Sequence, residues 1–286
     1  MSSFRRTLCI GDIGFAVESE HDFLLSERCK AFEQELERPD VTIRLTQRAM
    51  ELPAHTLVHA GENFDVVRTA DGLLTLRYAN SRKDDLLWYM RSTAPDRYEV
   101  IYSPTLPWAF ESVNPLFFFD LAEFLIAYDA VILHSAVILL DGSAIAFTAP
   151  SGTGKSTQAD LWHQYRQAEI LNGDRGLIRR QDGYRVYGSP YAGSSHIYVA
   201  KSAPLRAIVV LRQAPFNRVR RIKGKEAYLH LLSQTSLSVW NKTVIEQQSA
   251  WLLDLIGSVP VYLLECLPNQ GAVDTLYQEL KGLGNG

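Results

Sequence analysis

The chain has 286 residues, 47% of them hydrophobic and 21% charged, with a formal net charge of -3. That length carries one large domain or two modest ones with a sizeable core, and the near-neutral balance excludes a surface devoted as a whole to nucleic acid or anionic lipid. Cys9, Cys29 and Cys266 lie too far apart for a zinc or redox motif and read as reduced, buried thiols.

The first residues, 1–13, include Arg5 and Arg6 but no apolar run of signal-peptide length. The most apolar stretch, 116–140, is interrupted by Asp120, Glu123, Asp129 and His134, which argues against a membrane span. A cytoplasmic protein with no membrane or nucleic-acid partner is the expectation.

An amphipathic helix is expected near 22–36. Residues 41–45 alternate as a half-buried strand does. The segments 64–69 and 73–78, joined through Asp71 and Gly72, read as a hairpin, because such a turn needs positive φ. A further strand is expected over 97–102, and no catalytic constellation emerges in this half.

Pro104, Pro107 and Pro115 then punctuate the chain. They divide it into a β-rich N-terminal domain, 1–110, suited to recognition, and a second domain, 111–286. Residues 115–128 predict a buried helix with Asn114 as N-cap and Pro115 in its first turn. Next comes a second hairpin, 130–140 and 143–148, turning at Asp141 and Gly142. Beyond it a helix is predicted to about residue 165, with strands over 169–172, 184–187, 197–200, 207–211 and 261–265 and a helical pair within 226–257. The basic cluster Arg218, Arg220, Arg221, Lys223 and Lys225 reads as a solvated face, and 282–286 as a frayed tail.

The second hairpin runs straight into Ala149-Pro150-Ser151-Gly152-Thr153-Gly154-Lys155-Ser156, followed by Thr157. Small residues let backbone N–H groups converge on a polyphosphate, and the helix that follows adds the positive end of its dipole. Gly152 and Gly154 permit positive φ and close approach. Lys155 brings a full charge to the β- and γ-phosphates, and the Ser156 hydroxyl suits a magnesium shell. Such an ion takes a carboxylate too. Asp174 ends the strand after the loop helix and fits that role, although a turn or cap aspartate has the same look. Arg175 beside it reads equally as a phosphate contact and as a surface arginine. His134, on spacing alone, reads as a core histidine.

Together, Leu133-His134-Ser135-Ala136-Val137, the Asp141-Gly142 hairpin and the loop resemble the nucleotide-binding core of HPr serine kinase/phosphorylase, itself similar to phosphoenolpyruvate carboxykinase. The resemblance spans roughly 130–215. It implies an α/β (α+β) fold with a mixed sheet around the phosphate loop, preceded by the smaller β-rich domain. It also implies ATP and Mg2+ as cofactors, a homo-oligomer, a histidine near the phosphates at His134 and a metal-binding aspartate at Asp174. HPr kinases carry two adjacent aspartates at this point, the first a general base. Here the pair is Gly173-Asp174, and the N-terminal half does not match their sensor domain.

Downstream, the small-residue segment 188–196 corresponds to the acceptor side of the related kinases. Ser194, Ser195 and His196 there are candidates to orient an acceptor, with an ordinary polar loop the equal alternative. Arg206 and Arg212, flanking a strand, are candidates to clamp a transferring phosphoryl group. The function expected is a kinase acting on a hydroxyl of a peptide, protein or small molecule. The alternative is a nucleotide-dependent binding or regulatory module with little or no transfer.

Overall fold

The computed structural model describes residues 4–62, 64–79, 83–105, 112–191 and 193–282, and the chain divides into two compact units, Met1–Asp120 and Leu121–Gly286. Pro107, most of the expected tail and the side chain of Ser194 lie outside the described residues.

The first unit is built on β1 (Phe4–Ile10), β2 (Ile13–Ser19), a single helical turn α1 (Glu27–Lys30), β3 (Val41–Gln47), β4 (Thr56–Ala60), β5 (Phe64–Thr69), β6 (Gly72–Tyr78), β7 (Leu86–Ala94) and β8 (Arg97–Tyr102). The strands form one sheet in the order β1-β2-β3-β8-β7-β6-β5-β4, parallel at β2–β3 and β3–β8 and antiparallel elsewhere. Its buried interior includes Leu8, Ile13, Phe15, Ile43 and Ile101.

Two expectations change here. The helix predicted over 22–36 shrinks to Glu27–Lys30, because the following chain spends its backbone on β1: Gln34 N–H donates to Thr7 O and Phe32 O accepts from Cys9 N–H. The β5–β6 hairpin turns at Ala70 and Asp71, with Gly72 (φ 127) opening the second strand.

The segment predicted as a helix over 115–128 is broken in two. Asn114 does cap its start, accepting the N–H of Leu116, but only a 3-10 turn, Pro115–Phe118, follows. Phe119 then turns extended, and its ring packs edge-on against Tyr98 at 4.9 Å.

The second unit holds α2 (Leu121–Ile126), β9 (Ala130–Leu140), β10 (Ser143–Thr148), α3 (Lys155–Arg166), β11 (Glu169–Asn172), β12 (Arg175–Arg180), β13 (Tyr184–Tyr187), β14 (Ser202–Gln213), β15 (Arg218–Ile222), α4 (Gly224–Leu232), α5 (Lys242–Ser258), β16 (Val261–Cys266) and α6 (Gln270–Lys281). Its mixed sheet runs β10-β9-β12-β13-β14-β16-β15, with β11 beside β9. Because β10 also pairs in parallel with β14, the pairings β9–β12–β13–β14–β10 close on themselves. One core cluster packs Trp162 of α3 and Leu276 of α6 with Phe147 and Val209, and a second packs Leu231 of α4 and Trp251 of α5 with Leu133, Val137 and Leu263.

The strand expected over 197–200 is reduced to one bridge, Asn172 to Tyr198. The basic run 218–221 is an edge strand, β15, whose arginines face solvent or pair with carboxylates, Arg218 with Glu265 and Arg220 with Glu226. Outward charge of this kind blunts an open sheet edge.

Candidate functional site

The β9–β10 hairpin delivers the loop. Asp141 (φ 50) and Gly142 (φ 75) both take left-handed values, as a tight two-residue turn between right-twisted strands requires. Thr148 then ends β10, its hydroxyl donating to the carbonyl of His134 at 2.9 Å. This bond fixes the start of the loop to the middle of β9.

Over 149–154 the chain makes its own tight path. Gly152 has φ 78, and Gly154, with φ 117, is the N-cap of α3 and offers no side-chain oxygen to its first turn. A helix start capped in this way turns its N–H groups toward any anion that arrives. Lys155 is buried, with Nζ donating to Ala149 O at 2.9 Å and lying 3.5 Å from Pro150 O. Burial holds its pKa below the ordinary lysine range, and the charge of Asp174 opposes that shift. Ser151, Gly152, Ser156 and Thr157 are exposed, and Thr153 is half-buried, its carbonyl accepting from Gln213 Nε2 at 3.3 Å.

His134 and Asp174 meet. His134 Nε2 lies 3.3 Å from Asp174 Oδ1, while Asp174 Oδ2 lies 3.5 Å from Arg175 Nε. The backbone joins them as well, since Ser135 N–H donates to Asp174 O at 2.8 Å and His134 pairs with Arg175 across β9 and β12. The imidazole pKa is lowered, first by burial and then by the charge of Lys155; Asp174 and a hydrogen bond to Gln234 pull the other way. Lys155, His134, Asp174 and Arg175 thus share one electrostatic neighbourhood at the loop.

The remaining candidates divide. Gly193 packs directly on Asp174, close enough that an added β-carbon would meet its side chain. Ser195 Oγ accepts from Ile197 N–H, and His196 is exposed with φ 53. Arg212 is exposed, 3.4 Å from Glu265 Oε1, and borders both cavities beside the loop. Arg206 stands apart. Its guanidinium donates to Leu280 O at 2.7 Å and so closes the end of α6. It also precedes Val210, which pairs with Thr148, by four residues, or about 13 Å of strand.

Two cavities flank the loop. One, of about 600 Å3, is bordered by Gly152–Gly154, Thr157, Leu211, Pro215, Leu267 and Pro268. The other, of about 490 Å3, lies against Ala149–Thr153, His230, Ser233 and Gln234.

Sequence reasoning passed over Asn172, Ser189 and Gln234. None belongs to a recognisable motif, and only the folded chain gathers them around His134 and Asp174.

No protein-family model matches this chain, and no curated protein does. Among solved structures, one similar chain is the Hpr(Ser) kinase/phosphatase from Coxiella burnetii, 12% identical over 54% of this chain and 99% of that one, with a TM-score of 0.33.

Proposed function

We propose that this protein is a magnesium-dependent kinase that moves the γ-phosphoryl group of ATP to a hydroxyl, on a serine of a peptide or protein or on a small molecule. The observation that carries this reading is the convergence of Lys155, His134 and Asp174 on a small-residue loop that opens a helix. In it, the backbone of 151–156 and the N-terminus of α3 receive the phosphates, and Lys155 exchanges its carbonyl partner for phosphate oxygens. The apolar walls of the 600 Å3 cavity, Leu211, Pro215, Leu267 and Pro268, suit a purine ring.

Ser156 and Asp174 offer one hydroxyl and one carboxylate. That donor set fits a hard ion that keeps waters and phosphate oxygens in its shell. Magnesium there would neutralise charge on the β- and γ-phosphates. As the acceptor oxygen bonds to the γ-phosphorus, the bond to the β–γ bridging oxygen breaks and ADP departs. The hydroxyl proton goes to Asp174 or to His134. His134 suits the role because burial and the charge of Lys155 lower its pKa and so favour the neutral imidazole that can take a proton. A loose transition state asks mainly for positioning and charge neutralisation, so a weak base suffices.

One observation favours a second reading, a nucleotide-dependent binding or regulatory module. Gly173, buried beside Asp174, stands where the kinases this chain resembles carry a second aspartate. Labelled ATP with magnesium and a panel of serine peptides, amino acids and sugars separates the two. Label on an acceptor, lost in Lys155→Ala and Asp174→Ala, supports the kinase. Tight nucleotide binding with free phosphate alone, or without turnover, supports the module.

A further inference from the structure

Asp174 sits on a two-residue connection, Gly173–Asp174, between β11 and β12, and such a connection does not by itself hold a carboxylate in one direction. The restraint comes from Asn172, the last residue of β11, which is fully buried. Its Oδ1 accepts from the N–H groups of both Asp174 (3.0 Å) and Arg175 (2.7 Å). Its Nδ2 donates to the carbonyls of Ser189 (3.2 Å) and Tyr191 (3.1 Å).

Ser189, also fully buried, closes the same network, its hydroxyl donating to Arg175 O at 2.7 Å and accepting from Tyr191 N–H at 3.3 Å. Gly193, in a left-handed conformation (φ 54), also lies against Asp174, so close that a β-carbon there would meet Asp174 Cβ and Cγ at 2.8 Å. A buried amide must spend all its polar atoms or cost free energy. This one spends them on the backbone that aims Asp174 and on the segment that packs against it.

We infer that Asn172 is a positioning residue for phosphoryl transfer: with Gly193 it fixes the direction of Asp174 and ties that residue to Ser189 and Tyr191. The functional consequence rests on the kinase reading; the geometry does not. Asp174 and the backbone of Ser189 and Tyr191 are thereby held through one side chain. Partners that hold a metal ligand from behind behave this way, and losing one costs about 10–100-fold in metal affinity or activity.

Asn172→Ala and Gly193→Ala, measured beside Asp174→Asn, test this. The readouts are the crystal structure of each variant, ATP affinity with and without Mg2+, and kcat and KM for transfer. In Asn172→Ala the carboxylate is expected to leave its 3.3 Å contact with His134. Magnesium-free ATP affinity should stay within about twofold, while the gain on adding Mg2+ and kcat each fall about 10–100-fold and KM for ATP in Mg2+ rises as that gain is lost. Gly193→Ala, whose methyl would crowd Asp174 Cβ and Cγ, should produce the same split and carries the test if Asn172→Ala does not fold. The inference is overturned if the His134–Asp174 contact persists in the variants, or if magnesium-free affinity falls as far as the magnesium-dependent gain. Should Asp174→Asn itself leave magnesium dependence and kcat unchanged, the role given to Asp174 fails, and the variant structures still decide whether Asn172 aims it.

Discussion

Lys155 and His134 carry opposite burdens at the same mouth. Lys155 keeps 7% of its surface exposed, yet its charge has the Ala149 carbonyl and Asp174 to answer it. Truncating it removes the charge-assisted bonds that ATP would inherit. Lys155→Ala should therefore weaken ATP binding by about 2–3 kcal/mol, near 100-fold, in a calorimetric titration. His134 has its pKa pushed below the ordinary 6.5 by burial and by Lys155. If transfer needs the neutral imidazole, the acid limb of the rate profile lies below 6.5, and His134→Gln abolishes it. Linkage adds a second consequence. The unfolded imidazole takes up a proton that the folded one resists, so stability falls as pH drops through 6.5. Urea melts at pH 7.5 and 5.5 should show a larger loss for the wild type than for His134→Gln.

The residues most visible in the sequence were those with a fixed spacing. Gly152, Gly154, Lys155 and Ser156 carry the pattern expected of a phosphate loop in their order alone. Asn172 and Ser189 announce nothing, since an asparagine at a strand end has meaning only once its four partners have folded around it.

At the scale of elements, the hairpin of β9 and β10 was legible to the residue, because two near-continuous apolar runs met at Asp141 and Gly142. Where local pattern and tertiary pairing compete, pairing wins. The chain after Glu27–Lys30 gives up helix to bond β1, and Phe119 gives it up to pack on Tyr98. β12 was missed because Arg175, Arg179 and Arg180 mask its buried centre, Gly176 to Ile178. The two turn glycines give a paired prediction. A β-carbon at Gly154 or at Gly142 meets nothing within 4 Å, so either Gly→Ala costs backbone strain and not a clash, on the order of 1–3 kcal/mol. Both should lower the melting temperature. Only Gly154→Ala, which reshapes the cap of α3, should also weaken ATP binding. Asn241, whose Oδ1 accepts the N–H of Val244 at the start of α5, borders neither cavity and offers a control. Asn241→Ala should cost about 1 kcal/mol in a thermal melt and leave ATP affinity unchanged.

For the whole molecule, the residues gathered at the loop all belong to the unit Leu121–Gly286. Hydrogen exchange on adding Mg-ATP is therefore expected to slow around 149–157, 172–175 and 210–215. Protection within the first 120 residues would mean that Met1–Asp120 contributes to binding. The parallel pairing of β10 with β14 sets Thr148 beside Val210, and β14 in turn holds Leu263 of β16. Such distant contacts are slow to form. On the ribosome, the loop 149–156 would leave the exit tunnel long before the strands that brace it. If the loop holds ATP as proposed, a nascent chain ending before β14 should capture no nucleotide, and competence to bind it would be a late event in the protein's synthesis.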